Sequence, residues 1–273
     1  MNSFIPHGKA LPRQGECRWL ISLDFDGTLW LGDREEPIEA DFIELMRRWR
    51  ALGVRWGINT GRTMSYLFED WQRVASFLPD FICTCERFVY MADANGTLQP
   101  QGQHNEAATT AAQLLLQKMQ PPLHKELQHI AAQHPQLEWI IAPTDPLSVE
   151  AVDTATMDCL AELLTPLMQQ HPGVSMQRAG RYMRLADIRF HKGTTLAQVT
   201  DAWQVPNDRL LIIGDGHNDM DAFAHFPGAF CAAPADAHPE VLTRLREQGG
   251  YISQERGVMQ VLRHWASMQG LQF

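Results

Sequence analysis

Four short stretches of this chain carry residue types that could do chemistry together. Asp24 and Asp26 stand two apart in "LDFDGTLW" (23–30), directly after the apolar residues Trp19, Leu20, Ile21 and Leu23. Thr60 closes "VRWGINT" and is followed by Gly61 and Arg62. Lys192 follows "IRFH" and opens a run of helical spacing. Asp215 and Asp219 lie in "GDGHND" (214–219), after the apolar "LLII". Carboxylates gathered in one crevice repel one another unless a divalent cation offsets their charge, and hard oxygen ligands favour Mg²⁺. Thr60 supplies a hydroxyl, Lys192 a cation, and Gly27-Thr28 and Gly61 let backbone N–H groups approach an anion closely. Acids for a metal, donors for phosphate and one spare acid make an inventory suited to phosphoryl transfer. Singly, each piece has a plainer reading: an acidic turn, a helix cap, a surface lysine. Their order and their common place at strand ends argue for the set.

The elements around them alternate. A strand is expected over 19–24 and a helix over 37–53, with Ile38, Phe42, Leu45, Met46, Trp49 and Leu52 on one face and Gly53 at its end. A strand over 54–59, a helix over 63–78 and a strand over 80–85 follow, the pattern of a parallel α/β sheet. In such sheets, ligands bind beyond the carboxyl ends of the strands, where the four stretches fall. The middle is different. Residues 88–100 read as a hairpin around Asn95-Gly96. Helices are expected at about 105–119 and 123–133, broken by Pro121-Pro122, and over 154–171 with a bend or break at Pro166. Strands are expected at 137–143, 147–153, 174–180 and 182–188. Alternation then resumes with a helix over 192–203 and a strand over 209–216. The reading is an N-terminal extension (1–18), a discontinuous core (19–85 and 189–273) and an inserted α+β domain (86–188). Trp19, Trp49, Trp56 and Trp203 fall at core positions.

As a set, "DFDGT" (24–28), Thr60 in "INTGR", Lys192 in "HKG" and "GDGHND" (214–219) resemble the four motifs of the haloacid-dehalogenase-like (HAD) superfamily. The resemblance covers 19–85 and 189–265 and implies an α/β fold: a Rossmann-like core with a parallel sheet, plus a cap domain. It implies that Asp24 is a nucleophile forming an aspartyl-phosphate and that Asp26 is the acid and base for the leaving group and water. It further implies a Mg²⁺ cofactor held by Asp24, the backbone carbonyl of Asp26 and Asp215, with Asp219 orienting a metal-bound water or Lys192. Thr60, Gly61, Lys192 and Asn218 would bind the phosphoryl group. The 31 residues from Leu29 to Asn59 are too few for a large cap, whereas 131 separate Thr60 from Lys192. A mixed cap at the second point resembles the type IIB branch, with its Cof-like, sucrose-phosphate-phosphatase-like and phosphomannomutase members. Many Cof-like members have Asn-Gly after the third core strand; this chain has Cys85-Glu86-Arg87. Glu86 and Arg87 then either face substrate hydroxyls and an anion or form a hinge ion pair. Arg62 is a further candidate for substrate contact, as is the cap run Arg178, Arg181, Tyr182 and Arg184. His191 and His217 read as rim residues.

Composition limits the alternatives. A net charge of −9 argues against a general nucleic-acid partner. No apolar run approaches the ~18 residues of a membrane span, and the N-terminus lacks the apolar segment of a signal peptide. Five scattered cysteines do not make a disulfide framework, and Cys83-Thr84-Cys85 suits one strand face better than a metal knuckle; the setting expected is the cytoplasm. The expected activity is phosphatase action on a small phosphorylated metabolite. A phosphomutase and a non-catalytic metabolite-binding protein remain the alternatives.

Overall fold

The computed structural model describes residues 9–10, 15–74, 77–143 and 145–273. The chain divides into two compact units: one runs to Gly102 and resumes over Lys192–Phe273, the other is Gln103–His191. In the first, β1 (Trp19–Leu23), α1 (Phe42–Arg50), β2 (Val54–Asn59), α2 (Met64–Val74) and β3 (Phe81–Thr84) alternate, and β4 (Phe88–Ala92) and β5 (Leu98–Pro100) form a hairpin. The second unit is built from α3 (Gly102–Gln133), β6 (Trp139–Ile141), β7 (Ser148–Ala151), α4 (Thr154–Gln169), β8 (Val174–Ala179) and β9 (Tyr182–Asp187). The first unit resumes with α5 (Lys192–Trp203), β10 (Leu210–Ile213), a 3₁₀ turn (His217–Asp219), α6 (Met220–His225), β11 (Phe230–Ala233), α7 (Pro239–Gln248), β12 (Tyr251–Ile252) and α8 (Met259–Gln269).

The core sheet has the order β12-β11-β10-β1-β2-β3-β4-β5, parallel from β12 to β3 and antiparallel beyond. Alternation along each strand fills both faces. Ile21 and Leu23 meet α1, α2 and α8 on one side; Leu20, Leu210 and Ile212 meet α5, α6 and α7 on the other. Burial on both faces explains why these strands read as continuous apolar runs. Trp49 and Trp56 are buried, while Trp19 and Trp203 are partly covered.

The hairpin corrects the expected boundary at residue 86. Phe81 pairs with Met91 and Cys83 with Val89, and Val89 and Met91 are buried on the α5 side of the core. That burial makes β4 and β5 part of the core sheet, so the second unit begins at Gln103 and runs to His191. Gly96, at φ +79°, lies against Ala10, whose carbonyl oxygen would be 1.9 Å from an added Cβ. Ala10 itself is buried and bridges to Leu78, so this residue of the expected extension is packed; most of the rest lies outside the described residues.

The second unit is a four-stranded sheet, β6-β7-β9-β8, with α3 and α4 packed on it. The expected break at Pro121-Pro122 does not occur: α3 continues through both prolines. An interior proline costs about 3 kcal/mol. Leu115, Met119, Leu123, Leu127 and Ile130 form one buried stripe on both sides of the prolines, and that stripe holds the helix together. Helix α4 likewise continues through Pro166, with Leu160, Leu164 and Leu167 buried around it.

One buried charge network lies under the core. Asp80 is 1% exposed, pairs with Arg50 at the end of α1, and accepts from the Trp56 N–H at 3.2 Å. Burial pushes the Asp80 carboxyl up against the pull of Arg50 and Arg55. Asp80→Ala should therefore strand Arg50 and cost about 3–5 kcal/mol, read by chemical unfolding. A loss under about 1 kcal/mol would mean that the pair is neutral to folding.

Candidate active site

The carboxyl ends of adjacent strands build the site. Asp24 leaves β1 with its N–H on the Ile213 carbonyl of β10 (2.8 Å), and Thr60 leaves β2 with its N–H on the Cys83 carbonyl of β3 (2.9 Å). Asp215 follows β10, and Glu86 follows β3. Lys192 is the first residue of α5, and its carbonyl accepts from Asn59 Nδ2 (2.9 Å), which fixes that end of the helix to the end of β2.

Lys192 is the centre of the charge arrangement. Its Nζ donates to Asp24 Oδ1 at 2.6 Å and Asp219 Oδ1 at 2.7 Å, with the lysine side chain 1% exposed. Asp219 Oδ2 also accepts from the Gly216 N–H (3.0 Å), and Asp215 Oδ1 accepts from Thr28 Oγ1 (2.7 Å). Gly27 allows this approach: it has φ +75°, and a Cβ there would lie 2.4 Å from Asp215 Oδ2.

One cation does not balance these acids. Burial pushes the Asp215 carboxyl up to about 8, helped by Asp24 and opposed by Thr28 and Lys192. Burial pushes Asp24 up to about 7 and Asp219 to about 6, in each case against the pull of Lys192. Lys192 is held above its ordinary range: Asp219 and Asp24 outweigh its burial. Asp24, Asp215 and Asp219 each offer an oxygen, and the three oxygens lie within 4.8 Å of one another. An all-oxygen set with excess negative charge fits a hard divalent cation.

Beside this centre lie the residues expected to hold phosphate. Thr60 is buried, and its Oγ1 accepts from the Arg62 N–H at 3.1 Å. Asn218 Nδ2 donates to Glu86 Oε1 at 2.7 Å, and a Cβ on Gly61 would stand 3.0 Å from that same oxygen. Glu86 is 3% exposed. Cys85 and Glu86 have φ of +52° and +57°, held by N–H bonds to the Arg62 and Thr60 carbonyls. Each such non-glycine residue costs on the order of 1–3 kcal/mol, so the surrounding structure fixes Glu86 among the other site residues.

Asp26 and Arg62 are placed differently. The Asp26 side chain is 52% exposed, and Arg62 grips it through Nε (2.7 Å) and Nη2 (2.5 Å). Arg62 also donates to Asp70 (2.7 Å) and lies over the Phe25 ring. The arginine expected at the substrate thus holds the second aspartate. Arg87 lies over Phe88. In the second unit, Arg178 pairs with Asp158, Arg181 with Glu150, and Arg184 bonds Gln177.

Two contributors were missed in the sequence. The Thr28 hydroxyl, read only for its backbone, bonds Asp215. Asn59 anchors Lys192; its signal was an amide side chain ending a strand otherwise suited to a core.

A Rossmann-like sheet with acids at the ends of β1 and β10, a buried lysine between them and an α+β insertion before that lysine defines a hydrolase of the HAD type. The chain belongs to the haloacid dehalogenase-like hydrolase family, whose model matches residues 81–262. Among solved structures, it is similar to the sucrose-phosphatase of Synechocystis, crystallised with sucrose and phosphate, at 20% identity, covering 93% of this chain and 99% of that one with a TM-score of 0.67. It is also similar to a haloacid dehalogenase-like hydrolase of Bacillus subtilis (13%; 97% and 96%; TM-score 0.63). A HAD-superfamily phosphatase of Bacteroides thetaiotaomicron is a third likeness (15%; 95% and 98%; TM-score 0.58). At these identities the likeness is one of fold. Comparison with curated protein sequences gave no significant match.

Proposed function

We propose that the protein is a Mg²⁺-dependent phosphatase that hydrolyses a small phosphomonoester, of the sugar-phosphate class, through an aspartyl-phosphate. The observation that carries this reading is the Asp24–Lys192–Asp219 bridge at the carboxyl ends of β1 and β10. Asp24 Oδ would attack phosphorus as the ester P–O bond breaks, and Asp26 would give the leaving alkoxide its proton. Asp26 would then take a proton from water, which attacks the phosphoryl group, frees Asp24 and releases phosphate. Asp26 must loosen its grip on Arg62 to do so. Lys192, Thr60, Gly61 and Asn218 would hold the phosphoryl oxygens. Asp24, the Asp26 carbonyl, Asp215 and Asp219 would hold the cation, which when bound neutralises developing charge on those oxygens. The buried Glu86 carboxylate offers an acceptor for a substrate hydroxyl, which favours a polyol ester; the sucrose and phosphate in the Synechocystis enzyme are in keeping with that class.

No described helix is long and apolar enough to cross a membrane. None of the five cysteines is in a disulfide, and three of them are buried. We propose a reducing cytoplasm as the protein's setting, in keeping with those buried thiols, and a small metabolite rather than nucleic acid or membrane as its partner, in keeping with the net charge of −9.

The test is phosphate release from an aryl phosphate with and without Mg²⁺, followed by a panel of sugar phosphates, nucleotides and cofactor phosphates. Sugar phosphates turning over no better than the rest would remove the substrate class. Absence of phosphate release from every compound would remove the activity.

A pH signature should accompany the cation. The three buried acids have folded values of about 6, 7 and 8 against an ordinary 3.8. Without a cation, the folded state binds more protons than the unfolded one, so stability is highest below about pH 4 for these groups and falls as pH rises through their folded values. A cation competes with protons for the same oxygens. At a hundred times its dissociation constant, it adds about 2.7 kcal/mol. The Mg²⁺-induced rise in melting temperature should be larger at about pH 8 than at about pH 6; the reverse order would place the cation elsewhere.

A further inference from the structure

We propose that His217, His238 and Glu240 form a second cation site, for a borderline transition metal such as Zn²⁺, separate from the carboxylate centre. Each of the three residues offers one ligand atom, and these atoms lie within 4.8 Å of one another. They come from two elements: His217 from the 3₁₀ turn after β10, His238 and Glu240 from the start of α7. The two imidazole rings are 3.9 Å apart between centroids, and His217 Nε2 stands 3.2 Å from Glu240 Oε2. His238 Nδ1 accepts from the Glu240 N–H at 3.4 Å. That bond is long, so giving the lone pair to a cation forfeits little.

The chemistry selects the metal. Two imidazoles and a carboxylate make the ligand set of an open zinc site, with the fourth position left to water. Imidazole suits Zn²⁺, Cu²⁺ or Ni²⁺, whereas Mg²⁺ prefers oxygen, so the two sites sort cations by ligand type. Tetrahedral ligation at about 2.0–2.1 Å needs ligand atoms ~3.3 Å apart. The buried His217 side chain, 9% exposed, provides the fixed corner, and Glu240, 65% exposed, is free to close on it. The site also bears on the carboxylate loop. The His238 N–H donates to the Asp215 carbonyl (2.9 Å), and Asp215 and Asp219 flank His217 in sequence. A metal here ties the loop that carries those two acids to the start of α7. Nothing in this inference depends on the phosphatase reading.

The experiment uses the full chain with Mg²⁺ in large excess, titrated with Zn²⁺ by calorimetry and with Co²⁺ by visible absorption. The expected result is about one Zn²⁺ per chain that Mg²⁺ does not displace, and a Co²⁺ spectrum typical of nitrogen ligation in a low-coordinate site. His238→Ala should abolish both signals. Glu240→Gln, at an exposed position that the fold does not need, should weaken Zn²⁺ binding by about tenfold or more and keeps the test valid if His238→Ala fails to fold. Zn²⁺ displaced completely by Mg²⁺, or bound equally by wild type and Glu240→Gln, overturns the proposal.

Discussion

Asp24→Asn should lower kcat on the order of 10⁴-fold or more and leave the fold at least as stable at alkaline pH. The two effects have separate causes. An amide of the same size cannot attack phosphorus, so the proposed phosphoenzyme should not form. Stability is a matter of charge. Asp24 is buried, and desolvation holds its carboxyl up at about 7, so at higher pH the fold must carry an ionised group that it disfavours. The amide removes that cost. It also removes one partner of Lys192, which keeps Asp219 at 2.7 Å. Because the folded value is raised, the wild type loses stability as pH climbs through about 7, and the amide variant does not. Without divalent cation, the melting temperature of the variant should gain on wild type between about pH 6 and about pH 8. Phosphate release, mass measurement of a trapped phosphoenzyme and melting curves check this together. Wild-type turnover in a folded Asp24→Asn protein would remove Asp24 as the nucleophile.

The sequence disclosed the parts of this molecule whose physics is local. Strands buried on both faces are largely apolar, so β1, β2, β3 and β10 could be read directly. Glycines and acids placed directly after those runs marked the strand ends where Asp24, Thr60 and Asp215 stand. Long-range decisions were not legible. Whether residues 88–100 joined the core sheet depended on Val89 and Met91 finding a surface beside α5, which no local pattern reveals. Whether α3 survived Pro121 and Pro122 depended on a buried stripe that outweighs a local penalty. Side-chain pairing was equally hidden. Arg62 follows Thr60, the threonine expected to hold phosphate, in sequence, yet it grips Asp26 and Asp70, residues 36 and 8 positions away. Asp80 read only as the first residue of an expected strand, and its partner Arg50 comes from the far end of α1. His238 and Glu240 carried no motif at all and acquire a role only through their nearness to His217.

Lys192→Met keeps the length and bulk of the side chain and deletes its charge, and it should damage both stability and turnover. In the wild type, Lys192 is what makes the burial of Asp24 and Asp219 tolerable, at 2.6 and 2.7 Å. Its own value is raised, so it stays charged across the range in which those acids titrate. Breaking a buried pair from one side costs about 3–5 kcal/mol, and here two acids lose the same partner. Lys192 pulls both of them down, so without it both rise further above about 7 and about 6. At about pH 5.5 the stranded acids can take up protons and avoid most of the penalty; at about pH 8 they must ionise, and the full penalty applies. The loss in unfolding free energy, measured without divalent cation, should therefore be much larger at the higher pH. Mg²⁺ should recover part of that stability, because it offsets the same carboxylates, but not the turnover. Turnover should remain down by about 10²–10³-fold, since the fixed positive charge beside Asp24, the proposed nucleophile, is gone. If the loss is the same at both pH values, Lys192 contributes packing alone, and the charge balance assigned to this site is wrong.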